Sequence, residues 1–302
     1  MDAATYCEWG VDFVKIDHCG TGAPNVDGPN HMNESWMRFR QGFDQCVANG
    51  GRPMVMSVEY CTSPAALEQC VPWFATHDPT HDDLKPCAEW VREAGANMWR
   101  VASDISPNPT KLLHNAGCAS NLPQLAGYWK GGGGDLDSGH WNDLDMLQVG
   151  NGGLSVTWER IHFSLWAILA APLLISTDLT TLSDASLAVL LNRAVISVNQ
   201  DSLGKPGIAL RQDKPGAPVF VDGWAAWAKP LSGGDVALLV INTANKPLSA
   251  SLDRGELGLP SGKVMSSTDL WTGTTSHSEI GTALKLSLNA TDGFAMLRLR
   301  VA

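Results

Sequence analysis

The stretch VDFVKIDHCG, residues 11–20, opens as an apolar β-strand and closes on Lys15, Asp17 and His18. A strand buried in a core excludes charge unless the charge is paired or used. Side chains alternate along a strand, so Lys15 and Asp17 share one face while Val14 and Ile16 share the other. The stretch predicts a sheet whose β-branched face packs on helices and whose second face carries a cation and a carboxylate at its end.

The same pattern recurs. GVDFVKID, PMVMSVE, MWRVASDI, HWNDLDML and APLLISTD are short apolar segments that each end in an acid. The acids are Asp17, Glu59, Asp104, Asp145 and Asp178, about 33–45 residues apart, the length of a βα unit. Stretches of helical character, such as ESWMRFRQGFDQCVANG and DDLKPCAEWVREAG, lie between them. Strands alternating with helices predict a parallel sheet, and a (β/α)8 TIM-type barrel gathers its functional residues at the C-terminal strand ends. A doubly wound open sheet alternates too, but its Gly-rich phosphate loop is absent. Five such units fit before Asp178 and a closed barrel takes eight. The expectation is thus a partial barrel lacking about three N-terminal βα units, or else a shorter open sheet.

After NRAVISVNQDSLG the character changes to short alternating strands with turn signals, as in APVFVDGWAAWAKPLSGGDVALLVINTANKPL. This reads as a C-terminal antiparallel β-sandwich. The division expected is a partial (β/α) barrel over residues 1–206 and a β-sandwich over 207–302. KGGGGDLDSGH, residues 130–140, reads as a loop without the Lys-Ser/Thr of a phosphate-binding turn.

Alternation places Arg100 with Asp104, and Ser57 with Glu59, on single strand faces. The inner rim would then hold Asp17, Glu59, Asp104 and Asp145, with Lys15 and Arg100 as cations. Two carboxylates facing across a site are what glycoside hydrolysis requires: one attacks or stabilises the sugar carbon, the other protonates the leaving oxygen. An ammonium beside Asp17 favours its ionised form, whereas a general acid must stay protonated through burial or a like charge. The structural alternative is a salt-bridged barrel rim.

Composition agrees with a neutral partner. The 302 residues are 44% hydrophobic and 17% charged with a formal net charge of −10, which disfavours nucleic acid and anionic membranes. The most apolar run, SLWAILAAPLLIS, is too short to span a bilayer and is broken by Pro172. Twelve Trp beside three Tyr offers faces suited to sugar rings, although buried Trp is usually plain core. The first ten residues show no signal peptide. All seven Cys lie between Cys7 and Cys118, and sequons stand at Asn33 and Asn289. Such a clustered, odd set suggests disulfides with one partner missing or free; ordinary buried thiols are the alternative. The His and Asp of THDPTHDD (His77, Asp78, His81, Asp82, Asp83) could suggest a metal, but Pro79 interrupts the spacing and a solvated loop is expected. His18 lacks a G-x-S-x-G partner and falls on the face opposite Asp17.

These residues resemble glycoside hydrolase family 27, the α-galactosidases. WGVDFVKIDHC is similar to the nucleophile strand of that family, and MWRVASDI to its acid/base strand, in which an Arg precedes the catalytic Asp by four residues. WNDLDMLQVGNGGLS, LWAILAAPLLISTDL and VISVNQDSLGKPG match further blocks in order, and KPLSGGDVALLVIN extends the likeness into the C-terminal part. WNDLDM has Leu144 where a Pro is usual.

The resemblance implies a retaining glycosidase of terminal α-D-galactosides without a cofactor or metal, with Asp17 as nucleophile and Asp104 as acid/base. Lys15 would bind sugar hydroxyls, Glu59 and Arg100 would hold the 2-hydroxyl, and Asp145 and Met146 would line the pocket. Glu59 would exclude an N-acetyl group, leaving a galactoside or a β-L-arabinopyranoside. VEYCTS after Glu59 departs from the family, and Val58 and Ala96 stand where many relatives carry a disulfide. The family's first three βα units, with an aromatic platform and an Asp pair for the 4- and 6-hydroxyls, have no counterpart here, nor has the Cys that usually partners Cys19. Residues 1–302 alone are therefore expected to be inactive. The alternatives are a degenerate or fragmentary sugar-binding relative and a metal-dependent barrel hydrolase. The full-length protein is expected to be secreted or lumenal, with a homodimer left open.

Overall fold

The computed structural model describes residues 2–17, 30–59, 94–123, 126–128, 139–211, 222–259, 264–279, 283–290 and 292–301. His18, Cys19, THDPTHDD and nearly all of DDLKPCAEWVREAG lie outside them.

The first sheet has the order β1-β2-β3-β5-β4. Its strands are β1 (Phe13–Ile16), β2 (Val55–Val58), β3 (Met98–Arg100), β4 (Gly127–Tyr128) and β5 (Gly139–Asp143). β1, β2, β3 and β5 run parallel, and β4 lies antiparallel to β5. The fifth segment expected as a strand, APLLISTD, contributes only one parallel bridge, Ile175 to Leu147. Its chain is held there by Leu147 N–H donating to Leu174 O and by Ser176 Oγ donating to Leu147 O. Asp178 is exposed and accepts hydrogen bonds from Thr180, whose N–H and hydroxyl keep its carboxyl below the usual range. β5 begins at Gly139, one residue before the expected HWNDLDML segment, and residues 130–138 of the expected loop lie outside the described residues.

Helices cover one face of this sheet. α1 (Asp2–Glu8) and α2 (Asn30–Ala48) are joined by a disulfide from Cys7 to Cys46, and Trp36, Phe43 and Cys46 turn inward. Cys118 is also disulfide-bonded. α3 (Pro109–Ser120) starts where Asn108 accepts from Thr110 N–H and Pro109 supplies the first-turn geometry. α4 (Val156–Ile168) is capped by Ser155, and from Trp158 to Ile168 all but Arg160 are buried. α5 (Asp184–Leu190) and α6 (Arg193–Asn199) follow. Val14 and Ile16 pack on this helical side, and Val58 and Ala96 fill it with apolar contacts.

The other face is less covered. Phe13 and Val55 are register partners sharing the faces of Lys15 and Ser57, and they are 40% and 41% exposed. Among the described residues β1 is at the edge of the sheet, which is why a segment that reads as buried carries exposed residues. A cavity of about 240 Å³ beside Met98, Trp141 and Pro172 lies below the strand ends that carry the carboxylates.

The second sheet has the order β11-β10-β13-β8-β7-β6, with β12 pairing β9 separately, all antiparallel. Its strands are β6 (Ile208–Ala209), β7 (Trp224–Pro230), β8 (Val236–Asn242), β10 (Val264–Asp269), β11 (Thr275–Glu279) and β13 (Gly293–Val301). The pair is β9 (Leu248–Leu252) with β12 (Leu284–Leu288). β8, VALLVIN, is buried throughout because it packs on both sides. Ala237, Leu239 and Ile241 join Ala225 and Trp227 in the core shared with α4, while Leu238 and Val240 join the core toward β9 and β12. Trp227 Nε1 donates to Ser120 Oγ (2.8 Å) and Trp271 Nε1 to Ser164 Oγ (3.0 Å), fixing the sandwich on the helices.

Lys229, in step with Ala225 and Trp227, is fully buried, and its Nζ lies 3.4 Å from Ala167 O at the end of α4. Burial lowers its pKa to about 8, with Asp201 offsetting part of the effect. The folded state thus binds this proton less tightly than the unfolded chain does. Stability should rise as pH increases from about 8 toward 10.5, by on the order of 3 kcal/mol. Lys229→Met is expected to be about 1–3 kcal/mol more stable at pH 7 and to lose that rise. Melting curves of both proteins from pH 7 to 10 test this; parallel pH dependence would defeat it.

Candidate active site

The C-terminal ends of β1, β2, β3 and β5 bring the expected side chains together. Lys15 pairs in register with Ser57, and Arg100 with Asp143. Glu59, just beyond β2, donates its N–H to Ile16 O. Its carboxylate lies between two cations, Oε2 3.7 Å from Lys15 Nζ and Oε1 3.8 Å from Arg100 Nη1. Arg100 Nη2 reaches Asp104 Oδ1 at 3.2 Å, Asp145 Oδ2 at 2.9 Å and Ala102 O at 3.1 Å. The Arg100 side chain is 3% exposed and that of Asp104 is 85% exposed, so the guanidinium forms a floor from which Asp104 projects. Asp17 is exposed at the end of β1.

The electrostatics tie these groups into one cluster. Burial raises the Glu59 pKa; Arg100 and Lys15 pull it back, and Asp17 and Asp104 push it up again. Both aspartates therefore act on Glu59 through space. A carboxylate between Lys15 and Arg100 can accept hydrogen bonds from sugar hydroxyls while the cations fix its orientation.

Asp145 stands just past β5 with φ +79°, an uncommon backbone for a non-glycine residue. Its Oδ1 accepts from Met146 N–H (2.8 Å) and its Oδ2 from Ile105 N–H (2.9 Å) as well as Arg100. Trp166 Nε1 donates to Asp145 O at 2.8 Å. The side chain thus ties the connection after β5 to the one after β3. Met146 is exposed beside it.

Asp143 belongs to the cluster and escaped the sequence reading. It is buried, its Oδ1 accepts from Asp145 N–H at 2.7 Å, and burial raises its pKa, countered by that bond and by Arg100. Strand alternation carried one step back from Asp145 would have found it. His162, fully buried on α4, accepts from Gln148 N–H through Nε2 (2.9 Å), and burial lowers its pKa to about 3. It is a neutral support for the connection after β5, which no local sequence signal marks. Among the described residues, no group of three or more His, Cys, Asp or Glu could hold a metal ion, and no helix could cross a membrane.

A parallel β/α sheet with carboxylates and cations at its C-terminal strand ends, backed by an antiparallel sandwich, defines a barrel-type protein with its site on the strand ends. Residues 1–201 match the family model described as alpha galactosidase A, and residues 221–299 the one described as alpha galactosidase C-terminal beta sandwich domain. The chain belongs to this family, glycoside hydrolase family 27. It is 29% identical over 271 residues to an alpha-galactosidase of Cyamopsis tetragonoloba, covering 90% of this chain and 54% of that protein. Alpha-galactosidase I of Mortierella vinacea superposes with a TM-score of 0.74 at 20% identity, covering 99% of this chain and 70% of that one. A β-L-arabinopyranosidase of Geobacillus stearothermophilus superposes at 0.73 and 22% identity, covering 99% of this chain and 60% of that one. The chain spans about half the length of the curated relatives it matches, from 35% to 61%.

Proposed function

We propose that the protein is a retaining glycoside hydrolase that removes terminal α-D-galactosyl residues from oligosaccharides or glycoconjugates. The observation that carries this reading is the cluster of Lys15, Glu59, Arg100 and Asp104 at the strand ends of a family 27 chain. Asp17 attacks the anomeric carbon, and Asp104 gives its proton to the leaving oxygen as that bond breaks. Asp104, now a carboxylate, then takes a proton from water, whose oxygen displaces Asp17 and restores the original configuration. Lys15, on the same strand face as Asp17, binds hydroxyls. Glu59 and Arg100 hold the 2-hydroxyl, and Asp145 and Met146 border the pocket.

Residues 1–206 form the catalytic part and 207–302 the sandwich, a division supported by the pairing of β6 with β7. The disulfide from Cys7 to Cys46 supports an oxidising, secreted or lumenal location. A β-L-arabinopyranoside, which has the same ring hydroxyls, is the second substrate reading, favoured by the Geobacillus likeness.

The test is a paired assay of p-nitrophenyl α-D-galactoside and β-L-arabinopyranoside, on residues 1–302 and on the same chain preceded by the first three βα units of a relative. The open face at Phe13 and Val55 leads us to expect no turnover by residues 1–302 and turnover of the galactoside by the extended chain. Mass spectrometry should find a mechanism-based galactosyl inactivator on Asp17. An extended, folded chain that neither turns over nor is labelled would favour the sugar-binding reading.

A further inference from the structure

Asn115 lies on α3, outside the arginine–carboxylate cluster, and is fully buried. Its Nδ2 donates to Ser103 O at 3.1 Å and to Leu144 O at 3.0 Å. Ser103 immediately precedes Asp104 on the connection after β3, and Leu144 immediately precedes Asp145 on the connection after β5. One amide thus gives one proton to each loop, which is all it has. Its Oδ1 is buried and accepts no hydrogen bond. The amide cannot be reversed, because its oxygen would then face two carbonyl oxygens. A residue that leaves its own acceptor unsatisfied in order to bridge two loops is placed for the bridge.

The bridge bears on Asp104. That side chain is mostly in solvent and meets Arg100 Nη2 at 3.2 Å, so its aim depends on where its backbone sets it above that guanidinium. The peptide groups on either side are both pinned: Ser103 O by Asn115, and Ile105 N–H by Asp145 Oδ2 at 2.9 Å. Lys111 Nζ adds a third tie, to Ser103 Oγ at 3.0 Å. We infer that Asn115 is a positioning residue for the proton-transfer step: it locks the loop of Asp104 to the loop of Asp145 and so aims the Asp104 carboxyl at the leaving oxygen. The inference rests on the reading of Asp104 as acid/base given above.

Asn115→Leu and Asn115→Ser test it in the form that turns over galactosides. An acid that is misaimed penalises a leaving group that needs its proton and spares one that does not. The variants should lose about ten-fold more kcat/KM, which reports the first displacement alone, on methyl α-D-galactoside than on 2,4-dinitrophenyl α-D-galactoside. Equal losses on both substrates would reduce Asn115 to a structural residue and overturn the inference. Asp104→Ala is the control: if it shows no such split, the acid/base reading fails instead.

Should the variants not fold, hydrogen exchange of the unaltered chain decides. The two Asn115 side-chain amide protons should be protected as strongly as the body of α3, and their exchange at the rate of an open loop would refute the clamp.

Discussion

Asp17→Ala is expected to lower turnover of an aryl α-galactoside by about four orders of magnitude or more in the form that has activity. Asp17 follows β1 on the same face as Lys15, is exposed, and acts electrostatically on Glu59, so it borders the cluster at the end of β1. In the proposed mechanism alanine leaves the sugar carbon without an attacking group, while Asp104 can still protonate the leaving oxygen. The vacated space admits a small anion. Azide added to the variant should restore part of the rate with an activated substrate and yield β-galactosyl azide, because one displacement inverts the centre. Product configuration by NMR reads this directly. A variant that keeps a tenth of the activity, or gives α-galactosyl azide, would remove Asp17 from the nucleophile role. Since Asp17 raises the Glu59 pKa, the same substitution should lower it, which a titration can follow independently of rate.

Arg100→Met should be the most destabilising change at the site, by about 3–5 kcal/mol at pH 7. The guanidinium is 3% exposed and serves Glu59, Asp104 and Asp145 together, two of which are themselves largely buried. Its loss strands carboxylates in a medium that disfavours their charge. The pH dependence identifies the cause. Burial already raises Glu59 and Asp143, with Arg100 holding both down, so removing it raises them further. A carboxyl whose folded pKa exceeds its unfolded value costs nothing where both states are protonated. It destabilises as pH rises from the unfolded value through the folded one. The deficit of the variant relative to the parent should therefore grow between about pH 4 and pH 7. Denaturant titrations at the two values measure it, and an equal deficit would mean lost packing rather than stranded charge. Arg100→Lys should recover only part of the loss, because one ammonium cannot span three carboxylates.

Several of these features were open to reading in the chain itself. Alternation in VDFVKID placed Lys15 and Asp17 together and Val14 and Ile16 against the helices, as the packing bears out. The recurrence of acids after apolar segments indicated parallel strands with a charged end, and four such strands pair in that order. The alternating text after Gly207 indicated antiparallel sheets, which are present. In each case the signal is a period of two residues or a repeat of one βα unit, and strand geometry converts it directly into a face or an end.

What the chain did not disclose depends on residues far apart in sequence meeting in space. APLLISTD reads as a strand, yet only Ile175 bridges, because pairing is decided by what its neighbour presents. Asp145 sits two residues beyond Asp143 as alternation requires, but its positive φ redirects the carboxylate to Arg100 and to Ile105 N–H. Asn115 reaches partners 12 and 29 residues away from a helix whose sequence gives no sign of them. Lys229 occupies the inward face of β7 as alternation allows, and only the packing of α4 against that strand makes the site dry enough to depress its pKa. Periodicity is local and survives in one dimension; register, loop closure and burial are set by the whole packed chain, so the groups that aim and support the carboxylates were decided by the tertiary structure.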